Sequence, residues 1–99
     1  MSTYVFNVFS KLVYNIPEVM RVTEEYLDPC IVGEVIAHFR RQKKISQEIL
    51  SGLSDIGRTH ISAIERGARK PTLETLYKIS CALDMNMSDI LKEIEKRLK

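Results

Sequence analysis

Ser46–Leu91 reads SQEILSGLSDIGRTHISAIERGARKPTLETLYKISCALDMNMSDIL. Apolar residues return every three or four positions, and capping residues, glycine or proline interrupt them at short intervals. That is the signature of successive short helices rather than strands. Ser46 is a suitable N-cap for one helix, and Ile45 before it and Leu50 inside it form a hydrophobic-staple pair. Gly52–Gly57 breaks the pattern, with Asp55 able to take a left-handed turn conformation. The next helix is expected from Arg58 to Arg66, with Gly57 as N-cap, Ile56 stapled to Ile61 and Gly67 as its stop. Thr72 caps another helix whose inward face is expected to carry Leu73, Leu76, Ile79, Ser80 and Leu83. Asp84 closes it. Ser88 is expected to cap the last helix, with Ile90, Leu91, Ile94 and Leu98 as an apolar stripe.

Working outward, Val32, Ile36 and Phe39 keep helical spacing and define a first helix, with Arg40–Lys44 near its C-terminal end, where positive charge suits the macrodipole. The fold class is therefore all-α, five helices over residues 32–99, preceded by an N-terminal extension over residues 1–31. In that extension Tyr4–Phe9 reads as a short strand, and Pro17 opens a helix expected to run to about Leu27 and to end at Asp28–Pro29. The extension is rich in apolar residues, Tyr4, Val5, Phe6, Val8, Phe9, Leu12, Val13 and Tyr14, which need a packing partner.

Ninety-nine residues make one domain, two at most, and 44% apolar with 28% charged residues is a globular composition. Two cysteines, Cys30 and Cys81, are too few for a disulfide framework or a structural zinc site, and they read as buried, inert thiols. No signal peptide and no membrane span is expected, so the expected location is the cytoplasm. His38 and His60 lack metal-ligand spacing, and no Ser/His/Asp grouping, phosphate-cradling glycine loop or paired carboxylates stand out. Neither a metal, a cofactor nor an enzymatic activity is expected. Tyr77 and Phe39 read as core or core-edge residues.

Net charge is only +2, but it is unevenly spread. Residues 1–30 carry Lys11 and Arg21 against Glu18, Glu24, Glu25 and Asp28. Residues 40–70 carry Arg40, Arg41, Lys43, Lys44, Arg58, Arg66, Arg69 and Lys70 against Glu48, Asp55 and Glu65. A basic centre in a near-neutral chain fits a polyanion-binding face, and equally a solvated helix face. The helix from Arg58 separates the two readings. Ile61 and Ile64 point inward, while Arg58, Thr59, Ser62, Ala63 and Arg66 form an outward stripe, basic at both ends and small in the middle. Small central residues let a helix backbone approach base edges in a major groove, and arginine supplies the fork that matches guanine O6 and N7.

Together with VGEVIAHFRRQKKI at Val32–Ile45, this stretch resembles the lambda-repressor-like helix-turn-helix family, the Cro/repressor or xenobiotic-response-element type. The match rests on Ser46-Gln47-Glu48, Ile61-Ser62, Ile64-Glu65-Arg66-Gly67, Pro71-Thr72-Leu73-Glu74-Thr75-Leu76 and Ala82-Leu83, all at the family's spacing. The resemblance implies that Gln47 touches a phosphate or base and that Arg58, Thr59, Ser62 and Ala63 face base edges. It implies that Arg66, Arg69 and Lys70, with Lys43, Lys44 and His60, grip phosphates. Ser51 takes the small-residue position where two helices cross, and Arg40 pairs with Glu65 to clamp the first helix to the recognition helix. The chain departs from the family at Asp55, where glycine is usual, at Gly57, where serine or threonine is usual, and at Ile49 and Leu53, where polar residues are usual. Ala63 has no hydrogen bond to offer a base.

The function this implies is a sequence-specific regulator of transcription, a repressor that binds double-stranded DNA as a homodimer at an inverted repeat. The other reading is a protein-interaction, antitoxin-type regulator whose N-terminal segment binds a partner protein. The Ile49–Leu53 pair is expected to be covered by the N-terminal segment or by a partner, and the last helix to serve as core cap or dimer seam.

Overall fold

The structure is a computed structural model that describes residues 26–99. The strand expected at Tyr4–Phe9 and nearly all of the helix expected from Pro17 lie outside the described residues. Residues 26–28 are not helical.

Five helices, and no strand, occur among the described residues: α1 Pro29–Gln42, α2 Gln47–Ser54, α3 Arg58–Glu65, α4 Leu73–Ala82 and α5 Met87–Leu98. α1 begins three residues before the Val32 expected from periodicity. Asp28 and Pro29 start this helix instead of ending an earlier one. The Asp28 side chain accepts from the Cys30 amide at 2.9 Å, and Pro29 stands where a helix has no use for an N–H. Ser46 and Thr72 cap α2 and α4 as expected, accepting from the amides of Ile49 and Thr75 at 3.1 Å each. α5 starts from Asn86 rather than Ser88, because the Asp89 amide already closes a turn onto the Asn86 carbonyl at 3.0 Å. Asp55 takes the expected left-handed conformation (φ 57°), as do Asp84 (φ 54°), where the helix is expected to end, and Lys44 (φ 59°), which the sequence pattern does not mark.

The core is one cluster. Val32, Val35 and Ile36 of α1, Leu50 of α2, Ile61 and Ile64 of α3, Leu76, Ile79 and Leu83 around α4, and Ile90 and Ile94 of α5 meet in it. Ile45 and Phe39 pack against its edge, so the Ile45–Leu50 and Ile56–Ile61 staples both close onto it. Burying each such side chain contributes roughly 1.5–3 kcal/mol. Six expected positions differ. Leu73 and Tyr77 are exposed, because the buried row of α4 is Leu76, Ile79 and Ser80 and these two fall on its flank. Leu91 and Leu98 sit at the border of the α5 stripe, which narrows inward to Ile90 and Ile94. Cys30 and Cys81 are both exposed free thiols, on helix faces turned from the core.

α1 packs on α3 and α5, α2 on α3 and α4, and α4 on α5. The α1–α3 crossing is close at Gly33, where an added Cβ would stand 2.6 Å from the Glu65 carbonyl oxygen and closer still to that of Ile64. The last turn of α3 therefore rests directly on the backbone of α1.

Gly33→Ala is expected to cost about 1–3 kcal/mol, as overpacking against an unyielding backbone does. In an α2 position with no neighbour within 4 Å, Gly52→Ala is expected to stabilise by about 0.5–1 kcal/mol. Denaturant unfolding of the two variants measures both, and opposite signs are required.

Candidate nucleic-acid interface

α3 is a rod of eight residues, about 12 Å long at 1.5 Å per residue. Its inner side is Ile61 and Ile64, 1% and 0% exposed, so its rotation is set by the core. The opposite side then follows. Arg58, Thr59 and Arg66 are exposed and Ser62 and Ala63 half-buried, and Arg58, Thr59 and Ser62 line one shallow concavity. Gly57 caps the helix with no side-chain hydrogen bond, which leaves its first amides open at the positive end of its dipole.

A part-buried ion pair holds this rod. Arg40 Nε and Nη2 donate to the two Glu65 carboxylate oxygens at 2.7 and 2.9 Å, with the side chains 11% and 5% exposed. The third guanidinium nitrogen, Nη1, donates to the Ile45 carbonyl at 2.9 Å. The hydrogen bond to Glu65 raises the Arg40 pKa above its already high ordinary value, against the desolvation that burial imposes. The charge is thus fixed across the whole range in which proteins fold. Gln47 Nε2 donates to Glu65 Oε1 at 3.0 Å. The residue expected to reach a phosphate or base therefore has its amide nitrogen committed to the clamp.

The expected site residues divide into three groups. Arg58, Thr59, Ser62, Ala63 and Arg66 share the outer face of α3, and Arg66 Nε lies 3.4 Å from Ser62 Oγ one turn back. Arg69 and Lys70 are exposed in the loop after Gly67, whose φ of +78° turns the chain there. Lys43 and Lys44 are exposed beyond the end of α1, and His60 is half-buried on the side of α3. The Ser51 hydroxyl lies on α2 at the approach to the turn into α3. It donates to the Ile56 carbonyl and braces the turn between α2 and α3, while Ser54 Oγ donates to the Leu50 carbonyl at 2.6 Å. The close crossing is at Gly33, which sequence reasoning missed. A glycine inside an otherwise strong helical pattern was the available signal. Also unforeseen is Tyr26, whose ring lies under Lys70 with Nζ 5.2 Å from its centroid. Ile49 and Leu53 remain 50% and 61% exposed on α2.

Among the described residues, no group of three or more His, Cys, Asp or Glu side chains is placed to hold a metal ion. No described helix is long and apolar enough to cross a membrane.

The sequence matches the helix-turn-helix family over residues 36–90. It is 37% identical over 65 residues to the control protein C.MunI of a Mycoplasma species, a match covering 65% of this chain and 88% of that protein. The structure superposes on the restriction-modification controller protein C.AhdI from Aeromonas hydrophila with a TM-score of 0.63 at 32% identity, covering 66% of this chain and 98% of the other. It also superposes on the controller protein C.Esp1396I, crystallised as a tetramer with its natural 35 base-pair operator. There the TM-score is 0.68 at 31% identity, over 75% of this chain and 97% of the other.

Removing one partner of the clamp leaves a buried charge uncompensated, so Glu65→Ala is expected to destabilise by about 3–5 kcal/mol. The double variant Arg40→Met/Glu65→Leu fills the same space without charge and should lose distinctly less. Urea unfolding of the single and double variants checks this, and a double variant as unstable as the single would contradict it.

Proposed function

From the premise that this chain belongs to the helix-turn-helix family, we propose that it is a transcriptional repressor that reads double-stranded DNA as a homodimer at an inverted repeat. The observation that carries the reading is the outer face of α3. It is a stripe basic at both ends and small in the middle, and the Arg40–Glu65 clamp and the Ile61–Ile64 core contacts hold it to one orientation. A rod so fixed needs little ordering when it enters a groove, so its contacts go into affinity and discrimination.

Arg58 and Thr59, exposed at the N-terminal end of α3, reach base edges, with Ser62 beside them and Ala63 against a thymine methyl. Arg66, Arg69, Lys70, Lys43 and Lys44 grip phosphates on either side, His60 assists from the flank, and Gln47 acts at the start of α2. Two copies related by a two-fold axis place their α3 helices about 34–36 Å apart, one turn of duplex or a multiple of it. The exposed apolar residues of α4 and α5, Leu73, Tyr77, Leu91 and Leu98, supply surface for that pairing. The protein works in the cytoplasm and performs no catalysis.

Selection of bound duplexes from a random pool is expected to recover a palindrome. On that site Arg58→Ala should cost about 1–3 kcal/mol and relax preference at one base position per half-site. Arg69→Ala should weaken all sequences alike and lower the slope of log affinity against log salt by about one unit. A pool that yields no enriched sequence, or two variants with the same profile, would defeat the proposal.

A further inference from the structure

The chain enters the domain beside its basic loop. Tyr26 is exposed, and its ring lies under Lys70 with Nζ 5.2 Å from the centroid. Asp28 then caps α1, and Cys30 in the first turn lies against Gly67. A Cβ added at that glycine would stand 2.7 Å from Cys30 Sγ and 2.9 Å from Cys30 Cα. Two separate contacts thus bring the start of the described chain to the loop that carries Arg69 and Lys70, just past Arg66 at the end of α3. All three of these basic residues are exposed. The sequence immediately before Tyr26 has the opposite sign, with Glu18, Glu24 and Glu25 against Arg21. Consecutive Cα atoms are about 3.8 Å apart. Glu25 and Glu24 are therefore tethered within about 4 and 8 Å of the Tyr26 Cα, well inside the reach of a glutamate to that loop.

We propose that residues 18–25 of the same chain dock on the basic surface of Arg66, Arg69 and Lys70 and screen it until a duplex displaces them. The glutamate carboxylates take the place of phosphates, since a guanidinium or ammonium donates to either. Tyr26 on Lys70 is the latch. It makes the contact intramolecular, at an effective concentration set by a tether of one or two residues, which favours this occupant over an acidic segment of another chain. Ion pairs at an exposed surface are individually weak, so the segment lowers affinity for a polyanion without abolishing it. The acidic half of the chain thereby acquires a role that the outer face of α3 does not supply. The effect on DNA rests on the DNA-binding reading, whereas the docking itself does not.

Two measurements on the full chain test this, each on wild type, Glu24→Gln/Glu25→Gln and Asp89→Asn/Glu95→Gln. The last makes the same charge change at exposed positions of α5. The first measurement follows the arginine Nε–H resonances of nitrogen-15-labelled protein without DNA. Those of Arg66 and Arg69 are expected to shift in Glu24→Gln/Glu25→Gln and to stay in place in the α5 control. High salt is expected to move wild type towards the first variant. The second measurement is affinity for a duplex at several salt concentrations. Glu24→Gln/Glu25→Gln should bind about two- to tenfold more tightly than wild type, with a steeper log–log salt slope because the basic surface is no longer occupied. The α5 control should gain distinctly less. Arginine resonances that stay in place overturn the docking. Shifted resonances with an affinity gain no larger than the control's overturn the screening. Should wild type bind no duplex at all, the DNA-binding reading falls, while the resonances still decide whether the segment docks.

Discussion

The Glu65 carboxylate sits almost out of solvent at the last turn of α3 and takes three donors, two from Arg40 and one from Gln47. Arg40 donates from its third nitrogen, Nη1, to the Ile45 carbonyl. One acidic side chain thereby ties the end of α1, the loop after it, the start of α2 and the end of α3 into a single rigid corner. Such a corner tolerates no partial loss, because each group left behind would be a buried charge or an unpaired donor. Gly33 closes the same corner from beneath by letting the α3 carbonyls sit on the α1 backbone. The direction in which α3 points is a consequence of these two constraints.

Everything on the outer side of α3 inherits that direction. Ile61 and Ile64 lock its rotation into the core, so the stripe from Arg58 to Arg66 is carried on the opposite side, with Ser62 and Ala63 half-buried. The division of labour is economical in chemistry. Apolar burial sets the frame, one neutralised ion pair sets the angle, and the charges left outside are free to meet a polyanion. A chain with a net charge of only +2 can thus present a basic stripe on α3, since the one carboxylate of that helix, Glu65, is paired with Arg40.

Much of this was legible along the chain. Ser46 and Thr72 announce their helices because a capping hydroxyl acts locally, on an amide three residues away. Asp55 and Gly67 announce turns because their backbone preferences are their own. Local signals failed where two meanings compete. Asp28–Pro29 serves equally as an end or a beginning, and the structure uses it as a beginning. Asn86 rather than Ser88 starts α5 since the turn closed by Asp89 comes first. Leu73 reads inward by its spacing, and Tyr77 and both cysteines by residue type, yet their positions on the helices turn them outward.

The sequence by itself determined the helical periodicity, the caps, the family resemblance, and which residues share the outer face of α3, because each is a property of neighbours a few residues apart. Only the tertiary structure decided that Gly33 is a contact surface for α3. It also decided that Gln47 is already engaged by Glu65, and that Arg41, Arg66, Arg97 and His38 converge on one cleft. Those facts depend on which helix ends meet in space. Periodicity tells each helix which side to bury, but it carries no information about the distance between side chains brought from four different elements.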